Sequence, residues 1–256
     1  MTGIILPKFL SGMLDGIQEK NLYNQLDLSR IPTHLGLILD GNRRFAVKYN
    51  LARKYGHKMG INTFREVLDW CDEFRIKYVT IWVFSNENWD RDKTEIDDIT
   101  QLFLAEAREQ LETKTFLKRG IRFRAIGEYA KFGKPLSTLL STLEKQTSQC
   151  THMTLNVAIG YGGQQEILKA TNTFIKKNPG KQITADSLRQ NSYLPDQPAP
   201  DLIIRTSGEH RHSGFLLWHC AYSEYFFSTK FWPAFGRVDF LKALTDYQAR
   251  KRRFGK

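Results

Sequence analysis

The 256-residue sequence contains little cysteine, namely Cys71, Cys150 and Cys220. Three widely spaced thiols fit neither a zinc-ligand spacing nor an even-numbered disulfide framework. Buried free thiols in a reducing compartment explain them more simply, and we therefore expect a cytoplasmic protein.

Long hydrophobic runs and several familiar motifs are also missing. No stretch reaches the about 18 apolar residues that a membrane span needs. The sequence has no Walker loop and no glycine fingerprint for dinucleotides after its first apolar strand. It also lacks a helix-turn-helix, RNP or zinc pattern, so we expect no nucleic acid partner.

Acidic residues are outnumbered, with 27 Asp and Glu against 38 Lys and Arg, which gives a formal net charge of +11. A chain this basic meets polyanions, anionic membrane surfaces or phosphorylated substrates, and composition does not choose among them. The apolar share of 41% is that of an ordinary globular protein and excludes wholesale disorder.

The first 30 residues differ in character from the rest. From Phe9 onward, apolar residues recur at helical spacing through Leu10, Met13, Leu14 and Ile17. This pattern predicts a helix that either packs on the protein or rests on a membrane surface as a peripheral contact. We expect residues 1–30 to form a helical segment and residues 31–256 to form a single domain.

Strand-like and helix-like runs alternate after this segment. Near-continuous apolar runs predict about six strands, which is typical of a largely parallel sheet with helices on both faces. The predicted strands are 35–39, 78–84, 121–126, 153–159, 202–204 and 225–227, and the predicted helices are 58–74, 95–117, 136–149, 164–177 and 238–250. The fold class is therefore α/β with one domain.

Ligands of such sheets bind beyond the carboxyl ends of the strands. The run Asp40-Gly41-Asn42-Arg43-Arg44-Phe45 follows the first strand. Gly41 permits a close backbone approach, and the two arginines favour a phosphate group. Asp40 would repel that phosphate unless Mg²⁺ lies between them. A plain turn with a helix cap is the alternative explanation for Asp40 and Gly41.

Two further strands end in polar residues of the same kind. Ser85 to Trp89 and then Arg91 follow the second strand. The fifth strand is followed by Arg205 to Gly214, which supplies two arginines and hydroxyls for a second oxyanion. Glu209, His210 and Glu224 could add metal ligands. Two anion sites beside many aromatic residues suggest that two amphiphilic diphosphates meet here.

Three segments together resemble the signatures of the cis-prenyltransferases, the undecaprenyl and dehydrodolichyl diphosphate synthase family. They are HLGLILDGNRRFA from His34, FSNENW from Phe84 and DLIIRTSGEHRHSGFLLWHCAYSEYFF from Asp201. The Arg43-Arg44-Phe45 form is similar to archaeal and eukaryotic members. The resemblance implies a six-stranded sheet with an apolar substrate tunnel, a catalytic domain over residues 31–256 and a homodimer.

The implied reaction joins an allylic diphosphate to isopentenyl diphosphate and makes Z double bonds. The resemblance implies catalytic roles for Asp40, Asn42, Ser85 and Asn88, with Mg²⁺ on Asp40, His210 and Glu224. The implied substrate-binding residues are Gly41, Arg43, Arg44, Phe45, Arg53, His57, Trp89, Arg91, Arg205, Arg211, Ser213 and Arg253. Val83, Leu102, Phe103, Leu139 and Leu140 are candidates for the tunnel lining, with plain core packing as the alternative.

Arg253-Phe254-Gly255 matches an Arg-x-Gly motif that in this family reaches the partner subunit's active site, which favours a self-sufficient homodimer. Four positions depart from the family pattern, namely Gly160, Gln164, Gly214 and His219. Gly214 stands where the family has an asparagine, so a side-chain amide is missing there. This change is either neutral drift or a sign that the enzyme uses a different acceptor substrate, as in a short-chain or irregular condensation with a second allylic diphosphate. A non-catalytic subunit is a further alternative, but the retained Asp40, Arg44, Arg205 and Arg211 speak against it.

Overall fold

The computed structural model describes residues 8–250, with side chains from residue 15 onward. The predicted apolar positions Phe9, Leu10, Met13 and Leu14 and the predicted substrate residue Arg253 therefore lie outside the described side chains.

The centre of the fold is one sheet of six strands. They are β1 (His34–Ile38), β2 (Tyr78–Ser85), β3 (Ile121–Ile126), β4 (Met153–Tyr161), β5 (Leu202–Arg205) and β6 (Glu224–Phe227). The strand order is β3-β4-β2-β1-β5-β6, and all the pairings between these strands are parallel. The chain moves from β1 to β2 on one side and returns at β5 on the other. The carboxyl ends of β1 and β5 therefore face a crevice, which is where such sheets bind ligands.

Helices cover the sheet. The helices of the described chain are α1 (Lys8–Gln25), α2 (Asn42–Lys48), α3 (Arg53–Glu73), α4 (Lys93–Thr113), α5 (Thr115–Lys118), α6 (Lys134–Thr147), α7 (Gly163–Lys177), α8 (Ala185–Gln190) and α9 (Arg237–Ala249). The single helix predicted over 95–117 is wrong, because Lys114 adopts a left-handed conformation with φ 56° and ends α4. Helix α3 also begins five residues before the predicted start at Lys58.

The central strands bury both of their faces, as their continuous apolar sequence predicts. Leu35 and Leu37 of β1 belong to the core that α3, α4, α6 and α9 cover. Ile38 belongs to a second core on the opposite face, together with Phe215. The first core also contains the wall of a large cavity, described below with the site.

Helix α1 packs against α9 in the part of the segment that is described. Glu19 accepts a hydrogen bond from Arg237 at 2.7 Å, and the rings of Tyr23 and Phe74 lie 5.9 Å apart. Leu22 contacts the first core. Among the described residues, none of the helices is long and apolar enough to cross a membrane.

Candidate active site

Asp40 and Arg205 meet where β1 and β5 end. Arg205 is paired in register with Ile38, so its side chain projects from the same edge of the sheet that Asp40 follows. Its guanidinium donates to Asp40 Oδ2 at 2.9 Å and to Ser213 Oγ at 2.9 Å. Arg205 is 5% exposed, so this pair fixes a buried positive charge at the crevice.

Arg44 and Glu209 join the two anion sites that the sequence analysis treats as separate. Arg44 donates to Asp40 Oδ1 at 3.2 Å and to Glu209 Oε1 at 2.8 Å, and it also contacts Ser207. Glu209 Oε2 accepts from Arg211 at 2.5 Å. Hydrogen bonds from Arg211 and Arg44 hold the pKa of Glu209 below its ordinary value. Arg44, which follows the first strand, therefore belongs to one network with Arg205 and Arg211, which follow the fifth.

Glu95 is a functional candidate that the sequence analysis missed. Its carboxylate lies in the first turn of α4 and is 4% exposed, yet three arginines and a histidine point at it. The distances are 3.0 Å to Arg91, 3.4 Å to Arg53, 3.5 Å to Arg43 and 3.9 Å to His57. Glu95 thus gathers four of the predicted substrate-binding residues. The spacing of Arg91 and Glu95, i and i+4 on one turn, is the only sequence signal that could have indicated it.

Charge and burial determine the protonation of this group. Burial, together with the nearby Arg91, lowers the pKa of His57, so its imidazole is neutral at pH 7. Burial also lowers the pKa of Arg91, and the carboxylates of Glu95 and Asp40 oppose that effect. Arg91 therefore interacts electrostatically with a carboxylate of each group.

Glycines on α3 allow α2 to approach it closely. A Cβ at Gly56 would lie 2.2 Å from the Asn42 carbonyl oxygen, and one at Gly60 would lie 2.3 Å from Asn42 Oδ1. Gly41 itself has φ 106°, a left-handed value that a side chain rarely tolerates. These contacts place Asn42 against α3, directly beside Asp40.

Unpaired buried polar atoms are concentrated at this site. Among the described residues, buried side-chain atoms without a hydrogen-bond partner include Asn42 Oδ1, His57 Nε2, Asn86 Oδ1, Trp89 Nε1 and Arg205 Nε. Native proteins pair nearly all such atoms, so a cluster of unpaired polar atoms indicates groups that are available to bind a ligand.

A cavity of about 430 Å³ opens beside this site. Asn42, His57 and Gly60 line one end, and the apolar wall includes the predicted tunnel residues Val83, Leu102, Phe103 and Leu140. Leu139 is not among the lining residues and packs against the core instead. The other end reaches Asp69 and Arg119 near the start of β3. The resemblance implied an apolar tunnel, and the structure contains an apolar cavity between α3, α4, α6 and the sheet.

The segment after β2 lies close to this cavity without lining it, whereas Ile81 and Val83 of β2 itself do line it. Asn88 Oδ1 accepts a hydrogen bond from the backbone N–H of Ser85 at 3.0 Å, which shapes the turn. The Trp89 ring lies 4.9 Å from Phe84 and 4.4 Å from Phe132. Phe45 is 7% exposed and packs on Tyr49. Catalytic roles for Ser85 and Asn88 remain predictions.

A metal site built from Asp40, His210 and Glu224 of one chain does not fit the structure. Glu224 is paired with Leu202 at the amino end of β5, whereas Asp40 follows the carboxyl end of β1. The two ends lie roughly 10 Å apart along a strand of this length. Glu224 pairs with Arg250 at 2.9 Å, and the exposed ring of His210 stacks on Phe227. Within residues 8–250, no group of three His, Cys, Asp or Glu residues is arranged to hold a metal ion.

Arginines at the carboxyl ends of parallel strands, with an apolar cavity beside them, suit a protein that binds amphiphilic anions. A family model described as "Putative undecaprenyl diphosphate synthase" matches residues 38–255. The isoprenyl transferase of Thermus thermophilus is 42% identical over 256 residues and covers 96% of this chain and 97% of its own. An undecaprenyl-diphosphate synthase of Methanocaldococcus jannaschii, named as geranylgeranyl-diphosphate specific, is 41% identical over 96% of this chain and 90% of its own.

Solved structures agree with these sequence relatives. Lavandulyl diphosphate synthase from Lavandula x intermedia, in complex with dimethylallyl diphosphate, superposes with a TM-score of 0.83 at 30% identity over 89% of this chain and 100% of that chain. A probable undecaprenyl diphosphate synthase from Campylobacter jejuni gives 0.75 at 32% identity over 88% of this chain and 99% of its own. This chain belongs to the undecaprenyl diphosphate synthase family of prenyltransferases.

Proposed function

We propose that this protein condenses an allylic diphosphate with isopentenyl diphosphate and forms Z double bonds, giving a polyprenyl diphosphate. The observation that carries the proposal is the apolar cavity of about 430 Å³ that begins at Asn42 and His57. Beside this end lie Asp40, with its partners Arg44 and Arg205, and Glu95, which is 3.9 Å from His57. Charged groups at this end suit two diphosphates, and the cavity suits a growing hydrocarbon chain.

In the reaction, the carbon–oxygen bond to the allylic diphosphate breaks as the double bond of isopentenyl diphosphate forms the new carbon–carbon bond, and a proton then leaves. The arginines stabilise the departing diphosphate, because charge develops on it as the bond breaks. Arg43 and Arg53 bind the allylic diphosphate, whereas Arg205, Arg211 and Ser213 bind isopentenyl diphosphate. The apolar wall excludes water from the reacting carbon, and the fixed positions of both partners supply much of the rate enhancement.

Asp40 is the residue that would hold Mg²⁺. Its carboxylate lies at the strand end and is 29% exposed, so it is accessible from the crevice. Mg²⁺ is typically bound by one or two carboxylates together with substrate phosphates, and a single aspartate therefore fits this mode of binding. When bound, the ion would neutralise charge on the leaving diphosphate. Homodimerisation and a cytoplasmic location belong to the same proposal, and a dimer would bring the partner's basic tail near the site.

An irregular or short-chain condensation is the second candidate. It is favoured by Gly214, which has φ 86° in the loop beside Ser213, and by the structural similarity to a synthase that contains dimethylallyl diphosphate. The 42% identity to an isoprenyl transferase favours the elongating reaction instead.

A product assay separates these candidates. The pure protein would be incubated with Mg²⁺, allylic diphosphates of increasing length and labelled isopentenyl diphosphate, and the lipids would be sized. We expect a ladder that ends at one length and is lost in Asp40→Ala and with a chelator. Product formed from allylic diphosphates alone would favour the irregular reaction, and no product under any condition would contradict the proposal.

A further inference from the structure

The corner between α2 and α3, defined as residues 47–59, carries an exposed patch of large apolar side chains. Val47 is 69% exposed, Tyr49 55%, Leu51 39%, Tyr55 50% and Met59 38%. Tyr55 and Met59 are four residues apart and lie on the same face of α3. Single exposed apolar residues are ordinary, but five within one short corner form a patch that indicates an interaction surface.

The corner's own charged residues are all basic, and Arg53 among them pairs with Asp92 and Glu95 of the neighbouring segment. Between Asp40 and Glu66 the chain has no acidic residue, whereas it has seven basic ones, namely Arg43, Arg44, Lys48, Arg53, Lys54, Lys58 and Arg65. Two of the lysines fold over the tyrosines of the patch. Lys48 Nζ lies 5.8 Å from the centre of the Tyr49 ring, and Lys54 Nζ lies 5.7 Å from that of Tyr55. Lysine stems can thus cover the rings while the ammonium groups remain in water.

The patch adjoins one end of the cavity without forming its wall. None of the five apolar residues lines the cavity, but Asn42, His57 and Gly60 of the adjoining turns do. A hydrocarbon product that leaves by this end emerges beside the patch. The inference below therefore rests on the proposed function.

We propose that the α2–α3 corner docks on the surface of an anionic phospholipid bilayer. Val47, Leu51 and Tyr55 lie among the headgroups, and Lys48 and Lys54 pair with lipid phosphates. Segments that bind at a membrane interface typically interleave tyrosine and lysine and lack acidic residues. An anionic lipid leaflet attracts such a basic cluster. A bilayer also accepts the released product, which a protein surface of the same size cannot do.

The test is co-flotation of the full chain with vesicles of phosphatidylglycerol and phosphatidylcholine, compared with vesicles of phosphatidylcholine alone. One variant combines Val47→Ser with Tyr55→Ser, and a second combines Lys48→Gln with Lys54→Gln. The matched control combines Leu168→Ser with Ile175→Ser on α7, two residues that are 61% and 54% exposed beside other lysines. We expect binding to the anionic vesicles to fall roughly tenfold or more in both corner variants and to stay unchanged in the control.

Binding of the wild-type protein should also weaken as salt is added, because the lipid attraction is screened. The inference is overturned by a wild-type protein that ignores anionic vesicles, or by corner variants that bind as it does. Thermal unfolding shows whether each variant is folded. If the Val47→Ser, Tyr55→Ser variant is unfolded, the variant with the two exposed lysines replaced still decides the test. Turnover in detergent with a short allylic diphosphate is measured in parallel. Lost turnover with intact vesicle binding would count against the proposed function alone, and lost vesicle binding with intact turnover is the result expected of the corner variants.

Discussion

The replacement Gly56→Ala tests whether the packing of α2 on α3 positions the site. The new methyl group would lie 2.2 Å from the Asn42 carbonyl oxygen and 3.1 Å from Ala46 Cβ. Both are parts of α2 that cannot rotate out of the way. Because nonbonded carbon contacts favour separations of about 3.5 Å, one helix must move by roughly 1 Å.

Two terms determine the stability of this variant. Overpacking of a close contact costs about 1–3 kcal/mol. Replacing glycine by alanine inside a helix stabilises by about 1 kcal/mol, so a net loss of roughly 1 kcal/mol in the free energy of unfolding is expected. The larger effect is on the rate, because Asn42 and Arg44 move with α2. A displacement of about 1 Å in a positioning element can lower turnover by about 100-fold.

The measurements are initial rates and urea unfolding, and Gly16→Ala is the matched control. Gly16 lies in α1, and a Cβ there would meet nothing within 4 Å. This control should gain about 0.5–1 kcal/mol of stability and keep its rate. If Gly56→Ala turned over and unfolded like the wild-type protein, the claim that this close contact positions Asn42 would be wrong.

Three further predictions use the same preparations. Glu95→Gln leaves three arginines without their buried carboxylate, and we expect turnover to fall with a loss of roughly 1–3 kcal/mol in unfolding free energy, reduced by the partial exposure of the arginines. Asp97→Asn on the exposed side of α4 is the control and should change neither. Leu140→Ala enlarges the cavity and should lengthen the products, whereas Leu139→Ala, whose side chain does not line it, should not. Burial lowers the pKa of His34 to about 4. At a pH below the ordinary histidine pKa, the unfolded chain therefore binds more protons than the folded chain, and the free energy of unfolding should fall by about 2 kcal/mol from about pH 7 to about pH 5. His34→Gln should remove this pH dependence.

The neutral form of His34 also follows from its contacts. Nδ1 must donate, because its partner at 2.7 Å is the Pro198 carbonyl oxygen, which can only accept. Nε2 then accepts from the Thr80 hydroxyl at 2.8 Å. A second proton would place a donor where the ring now accepts, inside a residue that is 1% exposed.

The strands could be predicted from the sequence because buried parallel strands leave a strong signal. The predicted run 121–126 coincides with β3, and the other strands differ by one or two residues at an end. The two helical errors have local causes that hydrophobic periodicity does not report. The left-handed turn at Lys114 interrupts a continuous apolar pattern, and the first turn of α3 is polar and exposed apart from Gly56 and His57.

Motif position indicated which residues gather at the site, but it could not indicate how they pair. Asp40 and Arg205 were expected at the strand ends, and they meet there. Glu95 was overlooked because a glutamate in the first turn of an amphipathic helix is ordinarily exposed, and only tertiary packing buries it. Glu224 lies at the amino end of β6, away from Asp40, and a motif match does not say toward which edge of the sheet a strand residue lies.

All of the arginines predicted to bind diphosphate within residues 8–250 are already paired with a carboxylate in this structure. Arg44 and Arg205 pair with Asp40, Arg211 pairs with Glu209, and Arg43, Arg53 and Arg91 pair with Glu95. Diphosphate binding is therefore an exchange of partners, and its net free energy is smaller than that of bringing free charges together. The exchange is easy at Glu209, whose partners are exposed and hydrated. It is costly at Glu95, which is 4% exposed and would be left as a buried unpaired charge. We therefore expect Glu95 to keep its cations in place when substrate arrives and Glu209 to release Arg44 and Arg211 to the incoming phosphates.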